Sequence, residues 1–162
     1  QGCSGIVTTC GFLTLLQDEL RAALDVPVAT SSLMQFPMVQ ALLPTNRHPG
    51  ILTISRPALT PAHLQAVGVP ADAPVVGTEG GRSFTRDILN DQPSLNLEDC
   101  RLDMLDAAQA LINTDPQVGA IILECTNMAP YAAEIAEETG LPVFSVITLV
   151  HWLHAGLMPQ RF

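Results

Sequence analysis

Two cysteines sit where a thiol is chemically useful. In Ile6-Val-Thr-Thr-Cys10-Gly-Phe12 an apolar strand runs into a cysteine and then a helix. In the stretch from Val118 to Tyr131 an apolar run (Ala120 to Leu123) again ends at a cysteine, Cys125, and Thr126 and Asn127 cap the helix that follows. A helix N-terminus carries free N–H groups and the positive end of its dipole, so a thiol there is expected to ionise more readily. The carboxyl end of a parallel strand is also where open α/β sheets bind ligands. A thiolate is a base as well as a nucleophile. Two of them on opposite sides of a planar carbanion can take a proton from one face and return one to the other. That is racemisation or epimerisation next to a carboxylate, and it needs no cofactor.

The two stretches are copies of one unit. At an offset of 115 positions Cys10 falls on Cys125, Ile6 on Ile121, Leu20 on Ile135, Pro27 on Pro142 and Val28 on Val143, without a gap. Both read strand, cysteine, helix, proline, strand, which implies two similar lobes that each present one thiol. A single cysteine is more often a small buried hydrophobe, and Cys3 and Cys100 are read that way. Matched placement in both copies reverses that reading for Cys10 and Cys125.

The substrate carboxylate, and the enediolate formed from it, need N–H and hydroxyl donors around the two helix starts. Thr9, Gly11, Phe12, Thr126 and Asn127 are the candidates, with Ser31 and Ser55 at neighbouring strand ends. Gly11 lets backbone come close to a ligand. Glu124 reads as a partly solvated strand-end carboxylate rather than a second base. Arg56 is evenly balanced between a partner for a substrate carboxylate and a solvated loop residue. His48 and His63 read as surface residues, and His151 and His154 as helix-surface or packing residues.

Strands alternate with helices along the rest of the chain, which predicts α/β architecture with parallel sheets. The first lobe, residues 1–46, has strands near Ile6 to Thr9 and Pro27 to Thr30 around a helix from Phe12 to Leu24. A helix capped by Ser31 or Ser32 continues to about Leu43. Pro44 to Gly50 has the composition of a turn and marks the boundary. The second lobe, residues 47–146, alternates strands at Ile51, Pro74, Ala120 and Pro142 with helices opened by Thr60-Pro61, by Arg82 and by Leu97. A C-terminal helix in residues 147–162 returns to the first lobe. Because two strands make a poor core, an N-terminal segment is expected to precede Gln1.

Bulk composition narrows the function. A net charge of −9 argues against nucleic acid or an anionic membrane as partner. All seven basic residues are arginine, which excludes a lysine Schiff base, pyridoxal phosphate held in the usual way, and a lysine-bearing phosphate loop. The four cysteines show no zinc-ligand or C-x-x-C spacing, so no metal site is indicated. No apolar run reaches the ~18 residues of a membrane span and no leader pattern is present, so the reading is cytoplasmic. The 48% hydrophobic content fits buried parallel strands or a homodimer interface.

Thr8-Thr-Cys-Gly-Phe-Leu13 and Leu123-Glu-Cys-Thr-Asn127, in this order and at this spacing, resemble the aspartate/glutamate/hydantoin racemase superfamily across essentially the whole chain. The resemblance implies two similar Rossmann-like lobes related by a pseudo-twofold axis, a site between them, and Cys10 and Cys125 as a catalytic pair. It also implies a strand and helix before the first cysteine strand, which this sequence lacks. The chain departs from the family's usual Asn-Thr after the first cysteine, having Gly11-Phe12, and from Thr-His or Thr-Glu after the second, having Thr126-Asn127. The expected function is therefore a cofactor-independent racemase, epimerase or isomerase of a small carboxylic acid whose identity stays open. The alternatives are a single-thiol decarboxylase or cis–trans isomerase, and a non-catalytic small-molecule binding protein.

Overall fold

Among the described residues six short segments form strands, and every pairing between them is parallel. They are β1 (Ile6–Val7), β2 (Val28–Ala29), β3 (His48–Thr53), β4 (Val75–Gly77), β5 (Val118–Leu123) and β6 (Val143–Phe144) in a computed structural model that describes residues 2–161. β1 pairs with β2, and the other four form a sheet in the order β4-β3-β5-β6. The helices are α1 (Gln17–Ala23), α2 (Phe36–Leu42), α3 (Pro61–Gln65), α4 (Phe84–Leu89), α5 (Leu97–Thr114), α6 (Ala132–Thr139) and α7 (Val146–Leu157). This is the α/β class with parallel sheets. Among the described residues no helix is long and apolar enough to cross a membrane.

β5 is apolar on both faces because both are covered. Ile121 and Leu123 face Cys100, Met104, Ala108 and Leu111 of α5, whereas Ala120 and Ile122 face Leu33, Phe36, Leu59 and Leu64. Alternate side chains of a strand point to opposite sides, so a continuous hydrophobic run is what a strand between two helical layers requires.

The repeat seen in the sequence is also a register. Ile6 lies opposite Val28 and Ile121 opposite Val143. The Ile6 N–H donates to Pro27 O and the Ile121 N–H to Pro142 O, both at 2.9 Å. In each copy a six-residue 3-10 segment, Gly11–Leu16 or Thr126–Tyr131, precedes the α-helix. Sequence periodicity predicts single helices from Phe12 and Met128 instead. Pro130 has no N–H to donate within the second segment. Leu15 stands at the equivalent position in the first copy, which adopts the same geometry without that constraint.

Three other expectations need correction. Pro44 to Gly50 is not all turn, because β3 already begins at His48. A register irregularity between His48 and Pro49 lets a proline sit in an interior strand. Cys3 is exposed rather than buried, whereas Cys100 is fully buried 3.4 Å from Ser83 Oγ. His63 is a capping residue: its Nδ1 lies 2.7 Å from the Thr60 hydroxyl, and its ring meets the Phe12 ring edge-on at 5.5 Å.

A buried carboxylate organises the start of α4. Asp103 of α5 accepts N–H groups from Arg82 at 2.6 Å and from Ser83 and Phe84 at 2.9 Å. Burial opposes its charge, but these backbone donors and the Arg82 guanidinium outweigh it and hold the carboxyl below its usual range. Asp103→Ala leaves three N–H groups without an acceptor and should cost on the order of 3 kcal/mol. The contribution is complete above the unfolded carboxylate pKa of about 3.9 and fades as pH falls through the lower folded value. Urea unfolding should show the gap between wild type and variant at neutral pH narrowing in acid.

Candidate functional site

Both cysteines are N-cap residues with extended backbone, at φ −130° and ψ 117° for Cys10 and φ −82° and ψ 132° for Cys125. The Cys10 carbonyl accepts from the Leu13 N–H and the Cys125 carbonyl from the Met128 N–H, each at 3.1 Å. Each sulfur therefore stands at the start of a helical segment whose first N–H groups have no partner within that segment. Cys10 is exposed and Cys125 half-buried.

The two turns meet. The Thr126 hydroxyl donates to the Thr9 carbonyl, joining the residue after Cys125 to the residue before Cys10. Gly11 is packed against Glu124, joining the residue after Cys10 to the residue before Cys125. A Cβ at position 11 would lie 1.8 Å from Glu124 Oε1 and 2.5 Å from its Cδ, so any side chain there requires the Glu124 carboxyl to move. At the 115-position offset these two contacts are reciprocal. The thiols are near enough that charge on Cys10 opposes ionisation of Cys125.

The acidic Cys125 expected from its place at a helix start is not what the structure gives. Burial pushes this thiol up to about 11. The Asn127 N–H and side chain bond to the sulfur and pull the other way, while charge on Glu124 and Cys10 adds to the rise. A few uncharged donors do not repay desolvation of a thiolate when the neighbouring titratable groups are acids. Cys125 is a thiol at neutral pH.

Glu124 also differs from expectation. It is 3% exposed rather than partly solvated. Its Oε2 accepts from the Thr53 hydroxyl at 2.8 Å, and the Ile54 N–H also donates to the carboxylate. Burial raises this carboxyl more than those bonds lower it. The sequence held one sign of this arrangement, since Glu124 aligns with Thr9 across the repeat and each flanks the other copy's turn.

The remaining candidates divide. Thr9, Gly11, Thr126 and Asn127 lie at the meeting of the two turns, and Phe12 contributes backbone there while its half-buried ring packs against both core clusters. Ser31 is buried and its hydroxyl accepts from the Leu33 N–H at 3.1 Å, so it is engaged as a cap. Ser55 is half-buried just beyond Ile54, and its N–H donates to the Thr53 hydroxyl at 3.4 Å. Arg56 is exposed, its N–H bonded to Glu79 at 3.1 Å, and His151 and His154 are exposed on α7. Ser32, expected only as an alternative cap, instead donates its hydroxyl to the Leu123 carbonyl at 2.5 Å and ties the end of β5 to the segment after β2. A cleft of about 500 Å³, lined by Phe84, Ile88, Leu95 and Tyr131, opens beside Thr126 and Asn127.

Thr126→Val removes the hydroxyl that bridges the turns and should cost about 1 kcal/mol, whereas Thr126→Ser keeps it. Thermal melting of the two variants should separate them by a few degrees.

The profile of the family described as Asp/Glu/Hydantoin racemase matches residues 1–153. Among curated proteins, a dimethylsulfoniopropionate lyase from Durusdinium sp. clade D is 29% identical over 98% of this chain and 54% of its own length. Dimethylsulfoniopropionate lyases 7 and 6 from Emiliania huxleyi (strain CCMP1516) are 29% and 30% identical over 98% of this chain, and over 49% and 43% of their own lengths. The chain thus spans about half the length of the curated relatives it matches. The crystal structure of allantoin racemase from Pseudomonas fluorescens shares the fold, with a TM-score of 0.66 and 17% identity over 97% of this chain and 63% of the other. The family match covers nearly the whole chain and the α/β fold accords with it: this chain belongs to the Asp/Glu/Hydantoin racemase family.

Proposed function

We propose that this chain removes and returns a proton at the α-carbon of a small carboxylic acid without a cofactor, as a racemase or epimerase. The observation that carries the reading is the meeting of two like cysteine turns through Thr9 and Thr126 and through Gly11 and Glu124. Reciprocal contacts of this kind are what a local twofold axis between the copies produces. Such an axis directs one sulfur to each face of a carbon held between them.

The two thiols divide the work by environment. Cys10, open to solvent, is the base that takes the α-proton. Cys125, held as a thiol, delivers its own proton to the opposite face. Charge passes onto the substrate carboxylate as an enediolate, which the first-turn N–H groups of Gly11, Phe12 and Thr126 stabilise. After the transfer Cys10 carries the substrate's proton and Cys125 has given up its own, which is the form that accepts the opposite enantiomer.

A second reading is elimination, favoured by the lyases among the relatives. Dimethylsulfoniopropionate carries a carboxylate and, on the β-carbon, a positively charged sulfonium. Removing its α-proton lets the electron pair form the C=C bond as the C–S bond breaks, giving acrylate and neutral dimethyl sulfide. This needs one base and no donor on the second face. Both reactions share the first step and differ in whether the carbanion has a leaving group to expel.

Incubation of chiral 2-substituted acids in deuterated water should give α-deuterium and loss of optical activity. Cys10→Ser and Cys125→Ser should each lower the rate by about 10²-fold or more. Full exchange in both variants sinks the two-thiol mechanism. Headspace measurement of dimethyl sulfide from dimethylsulfoniopropionate tests the second reading, which expects one cysteine to be indispensable and the other nearly dispensable.

A further inference from the structure

Glu124 has no part in the proton transfers described above, yet it occupies the most restricted space in the site. Its carboxyl fills the volume where a Gly11 side chain would be, with Oε1 and Cδ both inside contact distance of a Cβ built there. On its other side it is held from β3, by the Thr53 hydroxyl and the Ile54 N–H. Glu124 immediately precedes Cys125, while Gly11 immediately follows Cys10. One side chain thus touches the turn after Cys10 and the end of β3, the strand beside β5 in the sheet.

We propose that Glu124 is a positioning residue for the reaction: seated in the space left by Gly11 and held from β3, it fixes the spacing of the two cysteine turns and holds an acidic group beside the Cys125 sulfur. The catalytic half of this statement rests on the function proposed above, and the structural half does not. The groups bearing on Cys125 are Glu124 on its own strand, Cys10 on the facing turn and the uncharged Asn127 on the following one. The β3 groups that hold Glu124, the Thr53 hydroxyl and the Ile54 N–H, are also uncharged. Cys125 and Glu124 therefore share a setting of acids and neutral donors. Removing either acid's proton makes removing the other's harder.

Two experiments on the full chain test this, and neither needs a substrate. In the first, alkylation of Cys125 by iodoacetamide is followed across pH by mass spectrometry of the peptide that carries it. Glu124→Gln keeps the size of the side chain and an oxygen for Thr53 but cannot ionise. Its half-alkylation pH should fall by on the order of one unit, with a melting temperature near that of wild type. An unchanged or raised half-alkylation pH overturns the proposal.

The second experiment is a double-mutant cycle. Gly11→Ala should lower the melting temperature by on the order of 5 °C, because the added methyl displaces the Glu124 carboxyl. Adding Glu124→Ala vacates the contested space, so the double variant should melt at or above Gly11→Ala alone. Additive losses overturn the interlock. A failed proton-exchange assay with both of these results as expected would remove the function and leave the interlock standing.

Discussion

The arrangement depends on how closely the Glu124 side chain approaches the turn after Cys10. The turn after Cys10 lies against the side chain of Glu124, and there is no room at position 11 for even one carbon atom. Glycine there usually signals conformational freedom, but here it signals proximity. Any larger residue must push the Glu124 carboxyl out of its seat beside Thr53. The two parallel sheets, their helical layers and the Ser32 bond to Leu123 all serve to bring those two turns together.

Much of the strand register was legible in the sequence because two stretches share one spacing. The 115-position offset aligned Ile6 with Ile121 and Val28 with Val143, and the same residues head the two strand ladders. Strand and helix order followed from apolar runs and from caps such as Thr60. Less legible were features set by contacts between segments far apart in the chain. β3 begins at His48 because β5 offers it a partner, which local composition rich in proline and glycine conceals. Glu124 looked solvated because a strand-end carboxylate usually is, and its burial depends on Gly11, more than a hundred residues away.

The protonation of Cys125 shows the same limit. Its place at a helix start was read correctly, but that position alone does not set the charge. Depth and the sign of the neighbouring groups do, and both are properties of the assembled fold. The site therefore holds one open sulfur and one sheltered, proton-bearing sulfur on turns of nearly the same shape. That inequality suits a reaction with distinct donor and acceptor faces, and it also accommodates an elimination that uses a single base.

The two halves of the junction differ in kind. One is a hydroxyl bound to a carbonyl, and the other is a carboxyl set against a glycine. The first is directional and holds a donor to an acceptor, whereas the second resists closer approach without fixing an angle. The cysteine turns are therefore drawn together at one point and kept apart at another.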